Sequence, residues 1–90
     1  QKQIYEIIDY LLINNEEFSV TANLDGLVFE PEIPDTIKKN FAKFTMFSLV
    51  NYTFSTVNLT ENHISFEAGF GEENFGSKVT IPLFAIFQII

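Results

Sequence analysis

The strongest constraint in this chain is the alternation Ile64-Ser65-Phe66-Glu67-Ala68-Gly69-Phe70. A strand sends successive side chains to opposite faces, and here an apolar residue falls on every second position. Ile64, Phe66, Ala68 and Phe70 therefore share one face, with Ser65, Glu67 and Gly69 on the other. Thr60-Glu61-Asn62-His63 forms a turn ahead of this strand, and the polar, glycine-containing stretch from Gly71 to Ser77 reads as a loop behind it. Lys78 to Ile81 is a second strand. Pro82 suits either a strand edge or the first position of a helical turn. Asn58 to Ile86 is thus a hairpin or a pair of neighbouring strands whose apolar side the rest of the chain must cover.

The N-terminal segment has a different period. Ile4, Ile7, Ile8, Leu11 and Leu12 follow the helical spacing, Tyr5 and Ile13 widen the stripe, and Glu6 and Asp9 lie opposite. This predicts a helix from Lys2 to Asn14, stopped by Asn14-Asn15 because asparagine tolerates left-handed backbone. Its apolar face has two compatible uses: to lie on a β-core, or to meet a second copy of the chain. Phe18 to Asn23 alternates as a strand, Asp25-Gly26 is a turn, and Leu27 to Phe29 is a short strand. Pro31 and Pro34 interrupt any ladder there. Asp35 to Lys43 reads as a loop with one helical turn that Asp35 caps, its lysines forming a solvated face.

Further along, Phe44 to Leu49 is dense in apolar residues and reads as a buried central strand. Asn51 to Phe54 is a short link or helical turn. Ser55 to Leu59 leads into a short strand with Val57 and Leu59 on one side. Leu83 to Ile90 is either a last strand or a short buried helix. The predicted fold is mainly β with an N-terminal α-helix: about five short, bent strands in a small half-open barrel that the helix partly closes.

The totals narrow the function. Ninety residues make one domain, and such a chain buries roughly 60–65% of its unfolded surface. Eleven phenylalanines carry much of that core and leave rings for an outer surface. The net charge is −7, from 12 acids against 5 lysines, and there is no arginine. Such a chain repels nucleic-acid backbones and anionic membranes. It has no cysteine, which removes disulfides and thiolate metal sites and fits a reducing cytosol. No apolar run reaches the length of a membrane span, and the first residues lack the pattern of a secretion signal. The apolar end Phe87-Gln88-Ile89-Ile90 leads us to expect a natural chain that continues past Ile90.

Catalysis finds little support. His63 is the one histidine, in a polar turn with neither a nucleophile nor an orienting partner suggested. One histidine and scattered acids do not make a metal site, and no cofactor is expected. The pairs Glu16-Glu17 and Glu72-Glu73 read as solvated turns. Gly69-Phe70-Gly71 is either a bend that relieves crowding or a place where another backbone comes close, with Phe66 and Phe70 walling an apolar groove. Asn51, Tyr52 and Phe54 either plug the end of the barrel or line the mouth of that groove.

Three segments in this order resemble the stringent starvation protein B (SspB) family of bacterial adaptors. Ile4-Tyr5-Glu6-Ile7-Ile8-Asp9-Tyr10-Leu11-Leu12-Ile13-Asn14-Asn15 is similar to the family's opening helix. Val57-Asn58-Leu59, then Asn62-His63-Ile64-Ser65-Phe66-Glu67-Ala68-Gly69-Phe70-Gly71, is similar to its Asn-Leu turn and a strand ending Phe-Asn-Ala-Arg-Phe-Gly. Val79-Thr80-Ile81-Pro82-Leu83-Phe84-Ala85-Ile86 is similar to its Val-x-Val-Pro-x-x-Ala-Val segment. Glu67 replaces the family's usual Asn and Gly69 its Arg, a loss of one positive charge and a gain of one negative that points toward less acidic peptides. The stretch from Pro34 to Phe44 fits loosely.

The resemblance implies an Sm-like barrel across residues 1–90, no enzymatic activity, and residence in the bacterial cytoplasm. It implies binding of the degradation tags that transfer-messenger RNA adds to stalled translation products, and their delivery to the ClpXP protease. It also implies a homodimer formed through the first helix, for which we take Ile4, Ile7, Ile8 and Leu11. The peptide-binding candidates are Tyr52, Phe54, Phe66, Ala68, Phe70 and Gly71. In the family a flexible C-terminal tail docks on the ClpX unfoldase, and no such tail lies within these residues. The alternative expectation is an Sm-like structural or nucleic-acid-binding module, which the acidic charge opposes.

Overall fold

The computed structural model describes residues 2–90. It is an N-terminal helix followed by two small antiparallel sheets that share one core. Helix α1 spans Lys2–Ile13. Its end is made by two backbone bonds: the Glu16 N–H donates to the Leu11 carbonyl at 2.9 Å and the Asn15 N–H to the Leu12 carbonyl at 3.1 Å. Asn15 takes φ +55° there, the left-handed conformation such a stop requires.

The strands follow as β1 (Phe18–Asn23), β2 (Val28–Glu30), β3 (Phe44–Leu49), β4 (Asn58–Leu59), β5 (His63–Phe70), β6 (Phe75–Pro82) and β7 (Ile86–Ile89). Between them lie two short helices, α2 (Asp35–Lys38) and α3 (Asn51–Ser55), and single 3-10 turns at Leu24–Gly26 and Leu83–Ala85. One sheet has the order β3-β1-β7 and the other β2-β6-β5-β4. Every second residue of β1 is buried (Phe18, Val20, Ala22), as are Ile64 and Phe66 of β5 and Val79 and Ile81 of β6. These inner faces meet in a single cluster that Ile8, Ile33 and Leu83 close, with the Phe47 and Phe66 rings touching across the sheets at 5.8 Å.

The long hairpin is the clearest agreement with the alternation in the sequence. β5 and β6 pair along eight residues, from His63↔Pro82 to Phe70↔Phe75. The turn between them is only Gly71 to Asn74, with Gly71 at φ +76° and Asn74 at φ +53°. The loop expected to run to Ser77 is therefore shorter, because Phe75, Gly76 and Ser77 continue the ladder. Of the two alternatives for the C-terminal segment the last strand forms, as β7, after a 3-10 turn at Leu83–Ala85; no buried helix forms there.

Three expectations are corrected. β3 is an edge strand of its sheet, not a central one. Its inner residues Phe47 and Leu49 are buried, while Phe44 and Met46 stand 48% and 56% exposed on the outer face and hide the alternation in the sequence. Asp35 does not cap α2; it is the first residue of that helix, after Pro34, and makes no capping bond. Seven strands form, two more than the sequence suggests, since β2, β4 and β7 are only 3, 2 and 4 residues long. No helix among the described residues is long and apolar enough to cross a membrane.

Candidate peptide groove

A groove of about 670 Å³ lies between α3 and the outer face of the β5–β6 hairpin. One wall is the start of α3, from Val50 to Thr53. This short helix is pinned at three points. The Glu17 carboxylate accepts the Asn51 N–H at 2.7 Å, which caps its start from across the molecule. Phe54 reaches into the core and meets the Phe18 ring edge-on at 6.3 Å. Thr56, just beyond the helix, donates to the Thr53 carbonyl at 2.7 Å and accepts the Glu67 N–H at 2.8 Å. Asn51 sits at φ +52°, a turn of the chain that asparagine tolerates and most residues do not.

The other wall and the floor come from β5 and β6. Glu67, Gly69, Gly76 and Lys78 lie on the outer face, in the cross-strand pairs Glu67↔Lys78 and Gly69↔Gly76. Tyr52 bridges the walls: its hydroxyl donates to Glu67 Oε1 at 2.8 Å. That hydrogen bond and the neighbouring negative charge hold the phenol above its ordinary value of 10.0. Asn74 leans over the groove end, its amide so close to Gly69 that a Cβ there would lie 1.8 Å from Oδ1.

The edge of β5 bordering this groove is open. β4 covers it only at Ile64 and Ser65, and the next outward N–H, that of Glu67, goes to the Thr56 hydroxyl. In an antiparallel ladder, residues two apart point their backbone groups the same way. Gly69 therefore directs its N–H and C=O outward like Glu67, where no strand lies beside it.

The structure divides the six residues chosen from sequence. Tyr52 and Ala68 line the groove. Phe54 is anchored beneath it on Phe18. Phe66, 1% exposed, is a core residue and forms no groove wall. Phe70 faces inward too, with Phe29, Phe41 and Phe47 at ring distances of 6.0, 5.7 and 6.2 Å. Gly71 belongs to the hairpin turn and lines a separate hollow against Ile37. The physical reason is the strand period itself: the apolar face that makes β5 legible is the face turned to the core. Sequence reasoning missed Val50, Glu30, Gly76 and Lys78 as lining residues. The available signal was the polar parity of the same strands.

The helix residues divide as well. Ile8 is fully buried in the chain's own core and offers nothing to a partner, while Ile4 and Leu11 are half-buried against that core. The exposed apolar strip of α1 is Ile7, Tyr10 and Ile13, at 47%, 63% and 75% exposure. Among the described residues no group of three or more His, Cys, Asp or Glu is placed to hold a metal ion. No protein-family model, curated protein or solved structure matches the chain.

Proposed function

We propose that this chain is a tag-binding protease adaptor of the SspB type, built on an Sm-like half-open barrel. It captures unstructured degradation tags in the groove between α3 and β5 and tethers them to the ClpXP protease in the bacterial cytoplasm. The observation that carries this reading is an open groove bordered by an unpaired strand edge, in the hairpin whose sequence resembles the family. An extended peptide brings its own row of N–H and C=O groups, and Gly69 has no side chain of its own beside its outward pair, its one close neighbour there being the exposed Asn74 amide. Val50 offers a small apolar contact beside it, and Tyr52 offers area and a hydroxyl. No covalent bond is made or broken.

A homodimer through Ile7, Tyr10 and Ile13 of α1 doubles the tag sites, and two tethered tags raise the effective concentration of substrate at the protease. The test is a titration with a fluorescently labelled transfer-messenger tag peptide beside a scrambled control. Saturable binding of the tag alone, weakened by Tyr52→Ala and unaffected by substitution of the distant Phe84, is expected. Equal binding of both peptides, or of neither, overturns the tag reading.

A further inference from the structure

The groove floor carries a row of three charges. Glu30, Lys78 and Glu67 face one another across β2, β6 and β5, and all three are exposed. Opposed residues of adjacent strands have Cβ atoms about 4.5–5.5 Å apart, so the row is compact. One lysine between two carboxylates leaves the floor negative, and neither carboxylate pairs with Lys78: the one ion pair among the described residues joins Lys38 to Glu32, at 3.2 Å. Glu67 gives Oε1 to the neutral Tyr52 hydroxyl, which leaves its charge uncompensated and its other oxygen open to a donor.

At the next rank the Asn74 amide covers Gly69, while Gly76 is bare. Gly69 stands opposite Gly76, and a Cβ built on Gly76 would meet nothing within 4 Å. Diagonally across from the carboxylate of Glu67 there is thus a bare strip over Gly76 where a long side chain can lie flat. Lysine and arginine fit both halves of that description, an apolar stem with a cationic head. We infer that the groove selects an extended peptide bearing a lysine or arginine, whose stem lies over Gly76 and whose head meets Glu67. The net charge of −7 steers such a peptide toward the molecule. This inference rests on the peptide-binding reading and names the chemistry of the peptide.

The test uses three fluorescein-labelled nonapeptides of one alanine, serine and valine sequence, differing only in a central Lys, Gln or Asp. We expect the Lys peptide to bind roughly threefold tighter than the Gln peptide and about tenfold tighter than the Asp peptide, as exposed charge pairs allow. The spread shrinks at high salt. Glu67→Gln removes most of the preference for Lys over Gln, read as the ratio of the two affinities in the same variant. Gly76→Thr, which fills the bare strip from an exposed strand position, weakens the Lys peptide most. Equal affinity for all three peptides, or a Lys preference untouched by Glu67→Gln, overturns the charge inference and leaves peptide binding standing. Binding of none of them overturns both.

Discussion

The two faces of β5 obey different rules. Inward, Ile64 and Phe66 are 0% and 1% exposed, and packing fixes their character and size. Outward, Glu67 and Gly69 are exposed, and the only close neighbour over Gly69 is the side chain of Asn74, itself exposed. Glycine in a strand interior weakens it, and here one glycine faces another, Gly69↔Gly76, near the end of the longest hairpin. That weakness is tolerated because the inner face supplies the stability. The difference teaches that this strand specifies the fold with one parity and leaves the other free for a ligand. A substitution should therefore change stability or binding according to its parity.

The largest break in that comparison is Phe66→Ala. Phe66 is the largest fully buried side chain and touches Phe47 of the opposing sheet. Removing it costs about 3–5 kcal/mol, a large share of the roughly 5–15 kcal/mol that holds a small domain together. Urea denaturation followed by circular dichroism reads this directly. A loss below about 1 kcal/mol would mean that the two faces do not differ as described.

The hairpin turn gives the next effect. Gly71 sits at φ +76°, and an alanine there pays the left-handed penalty of about 1–2 kcal/mol. Its Cβ would also come within 3.1 Å of Ile37 Cδ1, so α2 must yield slightly. The same denaturation curve should shift by an intermediate amount, with the groove still binding its peptide. Loss of binding without loss of stability would instead move Gly71 into the site.

Much of this fold was legible because period and turn chemistry agree over β1, β5 and α1. Alternation gives β1 its true bounds, Phe18–Asn23, and the helical period gives α1 to within one residue of its end. The density of apolar residues locates β3 but not its place at the sheet edge, because exposed Phe44 and Met46 imitate a strand buried on both faces. The site was less legible for a related reason. Aromatic residues draw attention as binding groups, yet Phe66 and Phe70 serve the core, while the groove is floored by two glycines and a charge row from three strands. Which strands lie side by side is a long-range fact; Glu30 and Lys78 are neighbours only because β2 pairs with β6.

On the outer face the effects should be smaller. In Gly69→Ala the new methyl collides with the Asn74 side chain, and Asn74 is exposed and able to swing into solvent. We expect a stability loss of about 0.5–1 kcal/mol, well below that of Phe66→Ala. Peptide affinity should fall more than stability does, since the methyl and the displaced Asn74 amide both stand beside the free edge. A stability loss as large as that of Phe66→Ala would show that Gly69 is held by packing and would remove the contrast between the faces.

The smallest effect is read in pH. Tyr52 donates to Glu67, and ionisation of the phenol would end that bond and set two negative charges together. Its pKa is therefore raised above 10.0, first by the hydrogen bond and then by the carboxylate's charge. In the unfolded chain the phenol ionises at its ordinary value, so the folded state holds its proton to higher pH. The contribution to stability is complete below about pH 10 and is lost as pH rises through the raised value. An NMR titration of the Tyr52 ring, in the intact chain and in Glu67→Gln, checks this. The uncharged partner removes the Coulombic part and keeps an acceptor, so the midpoint should move down toward 10.0 without reaching it. An unchanged midpoint would mean that Glu67 does not act on Tyr52 in solution, and the bridge across the groove would be open.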